Sequence, residues 1–286
     1  MKNNVKIYMC THKPFDYVPP CCIPVAGGAE IKPMAVGSIP DYGVGGSISQ
    51  KNNEYCELTI QYYAWKNEDC DYYGFCHYRR FFSFYEKTKK PYLVFSQLSE
   101  KNKKKLIPKE EEIQKKIGEF DVIVPKSEDV GQTVYEKYVT SAYMFKEDID
   151  LFISLIKEKF PYLASYADEY MNQNKQYFCN MFIMKRELFF EYSEILFSLL
   201  FDFDKQKKLH GSFQADRTDG YLAERFLGIY LLYLKDCGKK IFECLRIDTE
   251  ASLLKRIIFR LLPPESRLRF FFKKLFWVNR KKKQVT

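Results

Sequence analysis

Apolar positions along the chain recur with two periods. "VKIYMCTHK" combines β-branched and aromatic residues and turns polar just before Pro14, which predicts a strand over Val5–Lys13. "YYGFC" (Tyr72–Cys76) is continuously apolar, as expected of a strand covered on both faces, and stops at the polar cluster "HYRR". "FDVIVP" (120–125) reads as a buried strand ended by proline, "YFCNMFIMK" (177–185) as another, and "KKIFECL" (239–245) as a short final one. Between them the period lengthens. Ser49 or Asn53 can cap a helix in which Cys56, Ile60, Tyr63 and Ala64 share a face. Ile149, Phe152, Ile153, Ile156 and Phe160 mark a second helix over 147–160. "RELFFEYSEILFSLLFDF" (186–203) predicts a long helix, and "DGYLAERFLGIYLLYLKDCG" (219–238) a further one closed by Gly238. Strands alternating with helices predict an α/β sheet layered on either side.

Two stretches fall outside this alternation. Residues 14–50 are rich in Gly and Pro, including "AGGAE" and "DYGVGGSIS". Gly43, Gly45 and Gly46 permit backbone shapes closed to other residues, which suits either a surface loop or close approach to a ligand. The spacing is not Gly-x-Gly-x-x-Gly opening a helix, so a dinucleotide fingerprint is absent. Residues 86–119 are Lys/Glu-rich and read as a solvated excursion with a short helix, Glu110–Gly118.

Charge changes the picture once it is located. The 286 residues carry a net +9, but residues 251–286 hold eleven Lys/Arg against Glu265, or +10, leaving 9 − 10 = −1 for the other 250. A division follows: a near-neutral body over 1–250 and a basic tail over 251–286. In the tail, Leu253, Leu254, Ile257, Ile258, Leu261 and Leu262 alternate with Lys255, Arg256 and Arg260 at helical spacing up to Pro263–Pro264. Leu268–Val278 repeats the pattern, with Phe270–Phe272 and Trp277 against Arg269, Lys273 and Lys274. Both segments are too short and charged to span a bilayer. Basic amphipathic segments with Phe and Trp suit its interface, so an anionic membrane surface is the expected partner of 252–283. No nucleic-acid-binding module is visible, so no nucleic acid is expected. The N-terminus is too short and polar for a secretory signal, and nine unpaired-looking cysteines without Cys-x(2–4)-Cys spacing fit reduced thiols in the cytoplasm.

In open α/β sheets, ligands sit beyond the carboxyl ends of strands. Two of three such ends, His12–Lys13 and His77–Arg80, place His beside a cation, which points to an anionic ligand. His12 and His210 also read as plain surface residues, and adjacent Arg79 and Arg80 point to opposite faces of an extended backbone, so one of them can be structural.

"SISQKNNEYCELTIQYYAWKN" followed by "YYGFCHYRRFF", and later "NMFIMKRELFFEY" and "RTDGYLAERFLGIYLL", resembles a bacterial family from capsular and exopolysaccharide loci known as domain of unknown function 4422. Four blocks in order cover about residues 5–245. The resemblance implies a sugar-nucleotide-dependent glycosyltransferase with a GT-A-like fold, a Rossmann-like mixed sheet flanked by helices. Some members are associated with galactofuranose transfer. Carried over are Lys51, Asn52, Glu57, His77, Arg79, Arg80, Asn180, Gly220, Glu224 and Arg225. The chain departs from the family at Gly46 and Ser47, where an acid and an amide are usual, and near Tyr143, where a histidine is usual.

Glycosyl transfer must stabilise a departing nucleoside diphosphate and deprotonate an acceptor hydroxyl. Many GT-A enzymes hold a divalent metal (Mg or Mn) with Asp-x-Asp after a central strand. Here that strand ends in "CHYRR", and Asp69, Asp71 and Asp121 are poor candidates for a metal, so no certain cofactor is implied. The reading assigns the diphosphate to His77, Arg79, Arg80, Lys51, Asn52 and His12, since guanidinium is a permanent, planar fork for phosphate oxygens. Glu224, Asp219 and Glu57 are the candidate catalytic carboxylates, with Glu224–Arg225 also readable as a buried ion pair. Asn180 reads as an acceptor-side residue or a satisfied core amide, and Arg225 as its neighbour. The implied partners are a nucleotide-sugar donor and a lipid-linked glycan acceptor, and the implied place is the inner face of the cell membrane. The competing reading is a non-catalytic, membrane-peripheral binding protein of a polysaccharide assembly complex.

Overall fold

The computed structural model describes residues 2–211 and 216–249; the amphipathic segments predicted over 252–283 lie outside the described residues. Strands β1 (Val5–Thr11), β2 (Cys22–Ala26) and β3 (Ile39–Pro40) precede helices α1 (Asn52–Tyr55) and α2 (Leu58–Asn67). Then come β4 (Tyr72–His77), β5 (Arg80–Ser83), β6 (Tyr92–Val94), α3 (Glu100–Leu106), α4 (Glu110–Glu119), β7 (Val122–Pro125) and β8 (Glu128–Asp129). The remainder is α5 (Val134–Val139), α6 (Lys146–Lys159), α7 (Ala164–Asn172), β9 (Lys175–Gln176), β10 (Phe182–Lys185), α8 (Arg186–Gln206), α9 (Thr218–Asp236) and β11 (Ile241–Asp248).

Parallel pairing runs β3–β2–β1–β4. On its other side β4 meets antiparallel β10, which pairs with β7, itself parallel to β11. Strand β5 joins β4 through the His77–Arg80 pair and lies antiparallel to the second half of β11. The sheet is mixed and α/β, as the alternation predicts. Along β4, Tyr73 and Phe75 enter the core shared with the long helices, while Tyr72 and Cys76 enter a second core on the opposite face with Leu106, Ile113 and Ile117. Both faces are therefore covered, which is why this strand has no polar alternation. An apolar cavity of about 20 Å³ lies in the second core, between Cys76, Phe81 and Ile107; it holds one water at most and is far too small for a nucleotide.

Three predictions of extent are corrected. The helix expected from residue 49 onward breaks at Cys56, whose φ of 54° is left-handed; Asn52 Nδ2 donates to the Cys56 carbonyl (2.7 Å) and holds the break. The strand expected over 177–185 begins only at Phe182, because Cys179 (φ 77°) and Asn180 (φ 46°) are also left-handed. The final strand is longer than expected and runs to Asp248, so it reaches the edge where β4 turns into β5. Gly238 (φ 71°) follows α9, the stop read from sequence. Gly228 lets α9 touch α7: a Cβ there would lie 1.9 Å from the Tyr170 ring. Among the described residues no helix is long and apolar enough to cross a membrane.

Candidate functional site

The carboxyl ends of β1 and β4 carry the histidines. The His12 and His77 rings lie 5.8 Å apart, and Tyr78 packs against both. The turn from β4 to β5 is short, so the Arg79 backbone N–H reaches His77 Nδ1 (3.2 Å). A nitrogen that accepts carries no proton, which leaves the His77 proton on Nε2 as a neutral donor. Burial first, then Arg80 and Arg79, push the His77 pKa well below the ordinary imidazole value. His12 is pushed down to about 4 by the burial of its inner side and by Arg79, Lys13, Arg217 and Lys32, although its outer edge is exposed. Both rings are neutral at pH 7.

Arg79 stacks its guanidinium 4.9 Å from the Tyr78 ring, and its carbonyl accepts from Thr249 N–H (2.8 Å). Arg80 opens β5 opposite Asp248, with Cys179 and Glu224 also within its electrostatic reach. Next to it Arg246, almost fully buried, is spent on Asp248 (2.7 Å) and Glu128 (2.8 Å). The edge thus gathers Arg79, Arg80 and Arg246 beside the two histidines.

The carboxylates come from two helix starts. Glu57, just before α2, accepts from Asn180 Nδ2 (2.9 Å), and the same amide nitrogen donates to the Gly220 carbonyl (3.2 Å). Asn180 is 3% exposed and its Oδ1 is buried without a partner. Glu224, in the second turn of α9, accepts from the Cys179 N–H (2.9 Å) and from Arg225 (3.1 Å). Its side chain retains 18% of its surface. Burial pushes the Glu224 carboxyl above the usual carboxylate range, and Glu57 adds to this against the Arg225 charge. Arg225 is 2% exposed, bonded to the Tyr221 carbonyl, and lies over the Tyr138 ring, so the ion pair read from sequence exists and is buried.

His12, His77, Arg79, Arg80, Glu57, Asn180, Glu224 and Arg225 therefore come together at one edge. Lys51 and Asp219 do not. Lys51 donates to Asp204 (2.7 Å), and Asp219 lies with Glu54 and Asp204 around Lys207 Nζ (2.5–2.6 Å). Burial drives the Asp219 carboxyl up, and Lys207 opposes it. Asn52 serves the loop: besides Cys56 it meets Thr59 (3.1 Å) and receives Lys32 Nζ (2.8 Å). His210 is remote from the cluster, stacked on Phe145 and bonded to Asp148. Asp69, Asp71 and Asp121 sit at the opposite edge, beside Arg186, Asn4 and Lys240. Among the described residues, the carboxylates with mutual spacing for a divalent ion are Glu54, Asp204 and Asp219, and the ammonium of Lys207 lies among them. The histidine–arginine edge offers hydrogen-bond donors and cations rather than a carboxylate cage, which fits an anion better than Mg²⁺ or Mn²⁺.

Sequence reasoning missed Arg217 and Lys32, whose charges act on His12. Arg217 had a signal. It occupies the N-cap of α9, where a cation opposes the helix dipole, and it donates to Cys56 Sγ (3.0 Å) and lies 5.9 Å from the Tyr221 ring centre. Lys32 had none, since it lies in the irregular Gly/Pro-rich stretch.

The fold and edge define an α/β protein with a cationic, carboxylate-flanked site beyond its parallel strands. Residues 6–235 match the family described as "Domain of unknown function (DUF4422)". The chain belongs to that family. Among solved structures it is similar to the WbbM bifunctional glycosyltransferase in its apo form, with 30% identity and a TM-score of 0.81 over 87% of this chain. That match spans 46% of the other chain, so this chain accounts for less than half of that bifunctional protein. No curated protein matches significantly.

The histidines predict an acid limit. Between the folded pKa (about 4 for His12, lower than ordinary for His77) and the unfolded value of about 6.5, the unfolded chain binds more protons, so stability falls as pH drops through that window. His77→Asn, which keeps an acceptor for the Arg79 N–H, should flatten the fall in melting temperature between pH 6.5 and 4. Equal slopes in both proteins would contradict the neutral, buried imidazole.

Proposed function

We propose that the protein is a glycosyltransferase that moves a sugar from a nucleotide-sugar donor to a growing surface polysaccharide. The observation that carries this is the convergence of Arg80, neutral His77 and two carboxylates at one sheet edge, in a chain whose fold matches a glycosyltransferase. Parallel β3–β2–β1–β4 followed by antiparallel β10 supports a GT-A-like reading, with the donor beyond the strand ends. The donor of this reading is a nucleoside diphospho-hexose, UDP-galactofuranose among them. The acceptor is lipid-linked, at the inner face of the membrane, with 252–283 on the anionic leaflet.

In this scheme Arg79, Arg80 and His77 Nε2–H bind the diphosphate. As the bond from sugar C1 to the diphosphate oxygen breaks, the leaving group keeps the electron pair and those donors stabilise its added charge. Glu224 takes the proton of the acceptor hydroxyl whose oxygen bonds to C1, its raised pKa matching it to that role. Asn180 fixes Glu57 and the start of α9, so that the two carboxylates keep their separation. Arginines take the charge that a metal takes in enzymes with Asp-x-Asp.

Arg80→Lys and Arg79→Lys should each weaken UDP binding about ten- to a hundredfold by calorimetry, since an ammonium cannot replace the guanidinium fork and a charged hydrogen bond contributes about 1.5–3 kcal/mol. Wild-type affinity in both variants would remove the site. Glu224→Gln should fold and bind UDP while losing transfer by about 10²–10⁴-fold. A large fall in melting temperature, with activity per folded molecule retained, would make Glu224 only the structural partner of Arg225.

A further inference from the structure

Buried amides in folded proteins find partners, because leaving one unpaired costs more than its hydrogen bond contributes. Gln176 breaks that rule. It ends β9, is 0% exposed, and neither its Nε2 nor its Oε1 has a hydrogen-bond partner among the described residues. No other described side chain has two such atoms. Four residues on, Asn180 Oδ1 adds a third unpaired atom to the same stretch.

Printed contacts tie this amide to the site on two sides. Gln176 lies opposite Glu128 in the antiparallel β8–β9 pair, and directly opposed residues share a face. The Glu128 carboxylate reaches Arg246 (2.8 Å), whose guanidinium also holds Asp248 (2.7 Å), the residue paired with Arg80. Burial pushes the Glu128 carboxyl above the usual range, Arg246 opposes this, and Asp248 and Glu224 add to it. In the other direction the chain runs on to Cys179, whose N–H binds Glu224, and to Asn180, whose Nδ2 binds Glu57. Gln176 is thereby linked on one side to the arginine edge assigned to the diphosphate and on the other to the carboxylate assigned to the acceptor hydroxyl. In the proposed reaction those two groups flank the transferred sugar.

The chemistry of an amide suits a sugar. Its nitrogen donates and its oxygen accepts, so one amide pairs with two neighbouring hydroxyls, each of them both donor and acceptor, and Asn180 Oδ1 accepts from a third. Were packing the only task, an apolar side chain of the same shape would serve better at 176. The element that carries Gln176 is small enough to shift. Strands β8 and β9 have two residues each, form a sheet of their own apart from the nine-stranded one, and expose Asp129 and Lys175. A two-stranded ribbon is marginal by itself. We propose that Gln176 is a sugar-recognition residue: as a nucleotide-sugar binds, the β8–β9 ribbon shifts and the amide pairs with vicinal hydroxyls of the transferred hexose. The inference rests on the proposed glycosyltransferase reading and adds to it the group that reads the sugar.

The test uses the full chain and Gln176→Met, which keeps the volume and removes the amide. Without ligand the variant should melt about 2–4 °C above wild type, because two unpaired buried polar atoms are gone. By calorimetry it should bind UDP as wild type does. The advantage over UDP of the tightest binder among UDP-galactofuranose, UDP-galactose and UDP-glucose should fall about five- to tenfold. A melting temperature at or below wild type overturns the inference, by showing that the amide is paired in the free protein. An unchanged advantage overturns it too, as does a wild type that binds all three no better than UDP. Loss of UDP affinity in the variant overturns it by assigning the amide to the nucleotide. Wild-type protein that binds none of the four ligands removes the proposed function itself, which separates that failure from the others.

Discussion

Two successive left-handed residues, Cys179 and Asn180, set the geometry on which the site depends. Such a conformation costs about 1–2 kcal/mol for a residue with a Cβ, less for asparagine. The bonds they make at this point offset it. The Cys179 N–H goes to Glu224, and the Asn180 amide goes to Glu57 and to the Gly220 carbonyl. Three elements distant in sequence, the start of α2, the start of α9 and the approach to β10, are fastened through one buried side chain. Gly220 is part of the fastening because its carbonyl accepts from Asn180 Nδ2 (3.2 Å).

The electrostatics of the edge follow from that frame. The body of the chain is close to neutral, yet Arg79, Arg80, Arg217, Arg246 and Lys32 gather near the carboxyl ends of the strands. Burial first, and then the neighbouring cations, keep the two histidines neutral. Arg246 is neutralised by Asp248 and Glu128. Arg80 lies opposite Asp248, Arg79 stacks on Tyr78, Lys32 reaches Asn52 and Arg217 reaches Cys56 Sγ.

Much of this was legible in the sequence. The continuous apolar run at 72–76 announced a strand covered on both faces, and the "HYRR" that ends it lies at the edge it was assigned to. Helices α6, α8 and α9 followed the 3.6-residue period because each buries a broad face. The left-handed breaks at Cys56, Cys179 and Asn180 were not legible, since none is glycine; the first is held by Asn52 four residues earlier, the other two by bonds to residues far away in sequence. The same reason hides the partition of the polar residues. Lys51 and Asp219 belong to the carboxylate cluster around Lys207 because of where α8 ends, and Asp204 and Lys207 carry no motif. The glycines at 43–46 suited either a surface loop or close approach to a ligand; they form a turn that admits the end of α2, which only the position of Lys66 and Asn67 decides.

The chain has three histidines, and two of them sit in the site. Imidazole resonances in histidine-labelled protein therefore report directly on where a nucleoside diphosphate binds. Titration with UDP should shift the His12 and His77 signals and raise their pKa values, because an adjacent diphosphate favours the charged ring. His210, held on Phe145 and Asp148, should stay in place. Saturable UDP binding that leaves both His12 and His77 unmoved would contradict the account.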